Sequence, residues 1–196
     1  MTAIASLLSL EDYFTYNDGT DALYELENGA LRAMPPESDL NQRIASLLFA
    51  YFLQAGVLPA YLRMKTEVVV SGARTTVRVP DLMVLSPELA AALAEAERAT
   101  VMLDMPPPQL VVEVVSPGQQ NRNRDYRYKR SQYEARGIGE YWIVDPTMGR
   151  VSVLTRVEGL YEEAVFEGEA AIVSPFLAEL KPSQVLTTTR ALAASD

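Results

Sequence analysis

The residue that first asks for a chemical explanation is Glu113, set in the run Leu110 to Val115 whose other members are all apolar. Apolar character on both faces marks a strand buried on both sides. An ionised carboxylate there forfeits several kcal/mol of hydration unless it is paired, hydrogen-bonded or bound to a cation. A structural partner would satisfy it as well as a metal. Asp81 shifts that balance, because it lies in a second apolar run, residues 76 to 85, directly after Pro80. The missing N–H of Pro80 implies an irregular or edge ladder at that point. If the two strands are neighbours, the carboxylates meet: cross-strand Cβ atoms lie about 4.5–5.5 Å apart. Two such charges repel or share a proton unless a cation sits between them. Carboxylate oxygens with water suit Mg²⁺ or Mn²⁺. The chain has no His and no Cys, which removes the commonest general base, the preferred zinc ligands and any thiol nucleophile.

A net charge of −9 argues against binding nucleic acid by bulk charge. The charge is uneven, however. From Asn121 to Arg136, Arg122, Arg124, Arg127, Lys129, Arg130 and Arg136 face only Asp125 and Glu134, a local balance of +4. A solvated helix face accounts for such a run as readily as a ligand does.

The elements that must position these residues can be read along the chain. Ser9 before Leu-Glu-Asp-Tyr-Phe starts a short helix, and Asn28-Gly29 joins two short strands in a hairpin. Apolar residues from Leu40 to Phe52 recur at three and four, predicting an amphipathic helix from Ser38 to about Gln54. Runs at 65–70, 76–85 and 109–115 are rich in β-branched residues and are expected to form the central sheet. Residues 87–99 read as a peripheral helix, and 123–136 as a helix stopped by Gly137. Three further strands follow, and the tail after Thr187 reads as a fraying end. The length of 196 residues fits one domain spanning 1–196. No apolar run approaches the roughly 20 residues that span a bilayer. The absence of a basic, apolar leader and of cysteine leads us to expect a soluble cytoplasmic protein with no membrane segment.

Val79-Pro80-Asp81 followed by Glu113-Val114-Val115-Ser116-Pro117 resembles the PD-(D/E)XK nuclease superfamily. The stretch PPPQLVVEVVSPGQQNRNRDYRYKRSQYEARGIGEYWIVDP, with the earlier YELENGALRAMPP, narrows the resemblance to the Uma2 family (DUF820), over roughly residues 7 to 185. The resemblance implies an α/β restriction-endonuclease-like core, a central mixed β-sheet flanked by helices, and a phosphodiesterase site where two strands diverge. It implies Asp81 and Glu113 as ligands of Mg²⁺ or Mn²⁺, with the Val114 carbonyl as a third oxygen.

One departure matters. The superfamily places Lys two residues after the acid, where this chain has Val115. Lys129 on the following helix is the candidate replacement, since similar proteins show such migration. Asp125 and Tyr133 lie at helical spacing around it, and Asp125–Lys129 is equally an ordinary i,i+4 pair. Glu25 matches an acid in the family's opening segment and is a further auxiliary candidate, although a hairpin Glu is usually solvated. Arg122, Arg124, Arg127 and Arg130 would guide a DNA backbone without reading sequence. Tyr141 and Trp142 read as sheet packing and Asp145 as a strand-ending turn residue. The expected activity is Mg²⁺-dependent endonucleolytic hydrolysis of DNA, and a homodimer is an expectation carried by related nucleases alone. Two other readings stay open. Val115 and the acidic charge favour a catalytically degenerate nucleic-acid- or protein-binding module. A metal-dependent phosphoesterase acting on small nucleotides is less burdened by an acidic surface.

Overall fold

The computed structural model describes residues 7–177 and 180–186, and the polar tail after Thr187 lies outside them. A capping box starts α1 (Leu10–Thr15): the Asp12 N–H donates to Ser9 Oγ at 3.1 Å, and the Ser9 N–H donates to Asp12 Oδ2 at 2.8 Å. The hairpin of β1 (Tyr24–Glu27) and β2 (Ala30–Ala33) turns through Asn28 at φ 52° and Gly29 at φ 83°. Positive φ at both central residues is what a two-residue turn of matching twist requires. Helix α2 (Asp39–Gln54) is capped by Ser38 and buries Asn41, Ile44, Ala45, Leu48 and Phe52. There follow β3 (Leu62–Arg63), β4 (Glu67–Val70), β5 (Thr76–Arg78), β6 (Leu82–Val84), α3 (Pro87–Ala94), β7 (Thr100–Val101) and β8 (Leu110–Val114). A crossover of α4 (Gln119–Asn123), a π-helical turn (Arg124–Lys129) and α5 (Arg130–Arg136) leads to β9 (Glu140–Asp145). The described chain closes with β10 (Arg150–Val157), β11 (Leu160–Glu167) and α6 (Pro182–Leu186).

The expected single central sheet is two sheets. One has the order β2-β1-β5-β4-β7, the other β11-β10-β9-β8-β6-β3, each mixed and flanked by helices. The run 76–85 is responsible. It reads as one strand by composition, yet it breaks at Val79-Pro80-Asp81, so that β5 pairs with β1 and β4 while β6 pairs with β3 and β8. Proline cannot donate to a ladder, and here that defect hands the chain from one sheet to the other. Strands β8 and β9 are parallel, which demands the long helical crossover between them. The expected helix 123–136 is correspondingly longer at its start and widens into a π turn before Gly137 ends it at φ 84°.

Strands β8 and β9 in the middle of the second sheet are buried on both faces, as the apolar run in β8 predicts. Leu110, Val112 and Val114 pack with Trp142, Val144 and the α2 residues Ile44, Leu48 and Phe52. Val111 and Val115 turn the other way, toward Tyr133, Ile138, Tyr141 and Ile143. Tyr141 and Trp142 are core residues, as expected, and the Trp142 ring lies 5.8 Å from that of Phe52.

Arg78 ends β5 with no solvent exposure. Its guanidinium donates to Glu25 Oε2 at 2.9 Å, Glu27 Oε1 at 3.2 Å and Gln132 Oε1 at 2.9 Å, joining the hairpin, the first sheet and α5. Removing one partner of a buried pair strands the other charge. Arg78→Met is therefore expected to cost about 3–5 kcal/mol in urea unfolding, with part of it recovered by adding Glu25→Gln. Additive losses in the double variant would show that the pair is not the source.

Candidate active site

The two carboxylates singled out by the sequence line one cleft. Leu82 opposes Val112 and Met83 opposes Val111, so Asp81, just before Leu82, and Glu113, just after Val112, come from adjacent strands. The strand handover puts Asp81 just before β6, where its Oδ2 accepts the Val114 N–H at 2.7 Å. Its Oδ1 is held by the ammonium of Lys65, which also lies 3.2 Å from Glu37 Oε2. Val114 keeps its carbonyl beside them, accepting from Asn41 Nδ2 at 3.2 Å. One cleft is lined by Glu25, Glu37, Lys65, Asp81, Glu113, Val114, Arg124, Asp125 and Lys129, among others.

The crossover helix lies over the Glu113 face of β8. Lys129 Nζ is 2.7 Å from Glu113 Oε2, 3.3 Å from Asp125 Oδ1 and 3.9 Å from Glu25 Oε1. The Asp125–Lys129 pair expected from i,i+4 spacing is thus one edge of a buried four-residue cluster. Tyr133 donates its hydroxyl to Glu113 Oε1 at 2.6 Å, so both Glu113 oxygens already have a donor. Glu25 is buried, contrary to the solvated hairpin residue expected, because Arg78 and the Val79 N–H hold it at the crossing between the sheets. Val115 is buried in apolar surroundings, so no ammonium enters from the position the superfamily uses.

Burial governs the proton affinities here, and neighbouring charge corrects it. Burial pushes Glu113 up to about 7, with Lys129 opposing and Asp81, Asp125 and Glu25 reinforcing the rise. Burial likewise raises Asp125 against the pull of Lys129. Glu25 feels the same burial, but Lys129 and Arg78 together hold it below the ordinary carboxylate range. Burial works against the Lys129 charge, yet Glu113, Asp125 and Glu25 keep its ammonium more strongly protonated than an ordinary lysine. Tyr133 is raised by burial and by Glu113, and so remains a hydroxyl donor.

The donor set is all oxygen, which suits a hard cation. Among the described residues no three carboxylates converge as a ready-made metal cluster. Asp81, Glu113 and the Val114 carbonyl are the oxygens here that could serve an ion that takes one or two protein carboxylates and completes its shell with water, as Mg²⁺ does. Asp125 Oδ1 adds a buried acceptor with no hydrogen bond, although Lys129 lies within ion-pair distance.

The Uma2 family model, described as "Putative restriction endonuclease", matches residues 10–189. The chain belongs to the Uma2 family. A crystal structure titled as "a putative nuclease belonging to DUF820" from Anabaena variabilis superposes with a TM-score of 0.67 at 16% identity, covering 92% of this chain and 98% of that one. At that identity the likeness establishes a shared α/β fold. No curated protein matches it. Among the described residues no helix is long and apolar enough to cross a membrane.

Of the four arginines expected along a ligand path, Arg124 lines the cleft and a neighbouring groove with Arg32, Gln120, Asn121, Asn123 and Tyr128. Arg127 is exposed. Arg122 is turned to Asp145 at 3.4 Å and over the Tyr126 ring, and Arg130 bonds to Glu163 at 2.8 Å, so neither is brought into the cleft. Asp145 ends its strand as expected by accepting the Met148 N–H, and also takes the Tyr126 hydroxyl. Sequence reasoning missed Lys65, Glu37, Arg78 and Asn41. Two of these carry a signal: Arg78 interrupts an apolar strand, and Asn41 sits on the buried stripe of α2, so each had to have a partner. Lys65 at a strand entrance and Glu37 after two prolines carry none.

A carboxyl whose folded value is raised binds more protons folded than unfolded, so its contribution to stability falls as pH rises between the two values. For Glu113 that window runs from its ordinary 4.5 to about 7. In EDTA, the wild type is expected to lose melting temperature across this window relative to Glu113→Gln, measured in parallel scans at pH 5.0 and 7.5. Equal pH slopes for the two proteins would show that Glu113 does not carry the raised value.

Proposed function

We propose that this Uma2 chain is a Mg²⁺-dependent endonuclease that hydrolyses phosphodiester bonds in DNA. The observation that carries the reading is the placement of Asp81, Glu113 and Val114 in one cleft lining, with the Lys129 ammonium on Glu113 at the strand where the superfamily lysine is missing. Asp81, Glu113 and Val114 would hold the ion. When bound there, Mg²⁺ supplies charge neutralisation of the phosphate and an acidified water, the two contributions a metal makes to phosphodiester hydrolysis.

The protein's own groups do the rest. The Val114 N–H pins one Asp81 oxygen and so sets the angle of the other. Tyr133 and Lys129 clamp the two oxygens of Glu113, fixing the carboxylate plane on a strand rather than a loop. Lys129, held among three acids, lowers the cost of keeping those charges together at neutral pH. Arg124, which lines both the cleft and the neighbouring groove, would meet a backbone phosphate.

A second reading is favoured by Val115 and by the depth of Lys129: a module of the same fold that binds nucleic acid without cleaving it. A plasmid-nicking assay beside duplex binding separates the two. Asp81→Ala is expected to abolish Mg²⁺-dependent nicking with the circular dichroism spectrum unchanged, and nicking at the wild-type rate would remove Asp81 from the site. Duplex binding without nicking in the wild type would establish the binding module. Arg124→Ala is expected to weaken duplex binding and to reduce the slope of log affinity against log salt by about one, the signature of a lost phosphate contact. An unchanged slope would place the backbone elsewhere.

A further inference from the structure

Two lysines reach the acidic cleft, and their situations differ. Lys129 is 5% exposed and surrounded by Glu113, Asp125 and Glu25. The Lys65 side chain is 30% exposed and touches Asp81 and Glu37. Neither Lys65 nor Glu37 was needed to explain the fold or the clamp on Glu113.

The placement of Lys65 is unusual in two respects. It meets Asp81 through Oδ1, the oxygen left over once the Val114 N–H has taken Oδ2. That is the oxygen Asp81 has to offer an ion. Lys65 also sits at φ 52°, a left-handed conformation that costs a side-chain-bearing residue free energy and persists where the surroundings hold it. The neighbouring Glu37, 17% exposed, follows Pro35 and Pro36, whose fixed φ angles stiffen its approach.

We propose that Lys65 is a built-in placeholder cation, which neutralises Asp81 in the ion-free protein and yields Oδ1 to a divalent ion by withdrawing onto Glu37. The inference rests on the Mg²⁺ reading above and adds an order of events to it. The cleft is lined by five acids, Glu25, Glu37, Asp81, Glu113 and Asp125, and four bases, Arg32, Lys65, Arg124 and Lys129, a formal net charge of −1 that repels a phosphodiester. With a divalent ion added, the same lining carries a formal +1. Ion binding thus reverses the sign of the field at the cleft entrance, and DNA is admitted after the ion.

The test uses the full chain and two probes: Mn²⁺ titrated by calorimetry, and a labelled duplex titrated by anisotropy in EDTA and in Ca²⁺. Lys65→Met removes the competitor and is expected to bind Mn²⁺ about tenfold tighter than wild type, the upper scale of one ion pair that solvent partly screens. Its melting temperature in EDTA should fall and be restored by Mn²⁺. Glu37→Gln, which removes the alternative partner, should bind Mn²⁺ several-fold more weakly while keeping the wild-type melting temperature within a few degrees. In the wild type Ca²⁺ should strengthen duplex binding over EDTA, and in Lys65→Met that gain should shrink. Equal or weaker Mn²⁺ binding by Lys65→Met, with the wild type binding normally, overturns the placeholder and leaves the nuclease reading standing. Failure of the wild type itself to bind Mn²⁺ overturns both.

Discussion

The constraint on which this molecule turns is the burial of four acidic groups where two sheets part. Glu25, Asp81, Glu113 and Asp125 are each less than a tenth exposed, and each must be answered by a positive charge or a donor. Arg78 answers Glu25, Lys129 answers Glu113 and Asp125, and Lys65 with the Val114 N–H answers Asp81. These partners come from the first sheet, the crossover helix, the β3–β4 connection and β8, so satisfying the charges also fastens the elements to one another. The arrangement is a scaffold held by electrostatics at its centre and by apolar packing on both faces of the second sheet.

The crossover helix makes the centre workable. Parallel pairing of β8 with β9 obliges the chain to travel back over the sheet, and a helix is the economical way to do so. Its π turn spans Arg124 to Lys129 and therefore contains both Asp125 and Lys129. A widened turn shifts the facing of residues on either side of it, and such turns recur at functional sites. Tyr133, one further turn along, reaches the same Glu113 from the other side. The Lys129 ammonium thereby reaches Glu113 from the helix above the strand rather than from β8 itself.

Division of labour between the two lysines follows from their depth. An ammonium locked among three carboxylates resists displacement, because moving it leaves several buried charges without compensation. An ammonium partly in water on two carboxylates exchanges partners cheaply. Lys129 accordingly stabilises the site and Lys65 is the group free to respond to what enters it. The overall net charge of −9 is compatible with this, since the field that matters to a ligand is the local one at the cleft.

The sequence by itself determined the local elements and the two central acids. Capping residues, the Asn28-Gly29 turn, the periodicity of α2 and the Gly137 stop act over a few residues, and a carboxylate inside an apolar strand declares its cost wherever the strand goes. Family membership was legible for the same reason, in the order of short motifs from Pro80-Asp81 to the Glu140–Asp145 strand. Tertiary structure decided what depends on distant partners: that the run 76–85 serves two sheets, that Glu25 is buried rather than solvated, that Arg122 and Arg130 turn away, and that Lys65 meets Asp81. A strand's composition does not name its neighbour, and a lone surface-type lysine or arginine is placed by charges many residues away. Those contacts exist only once the sheets and the crossover helix have come together.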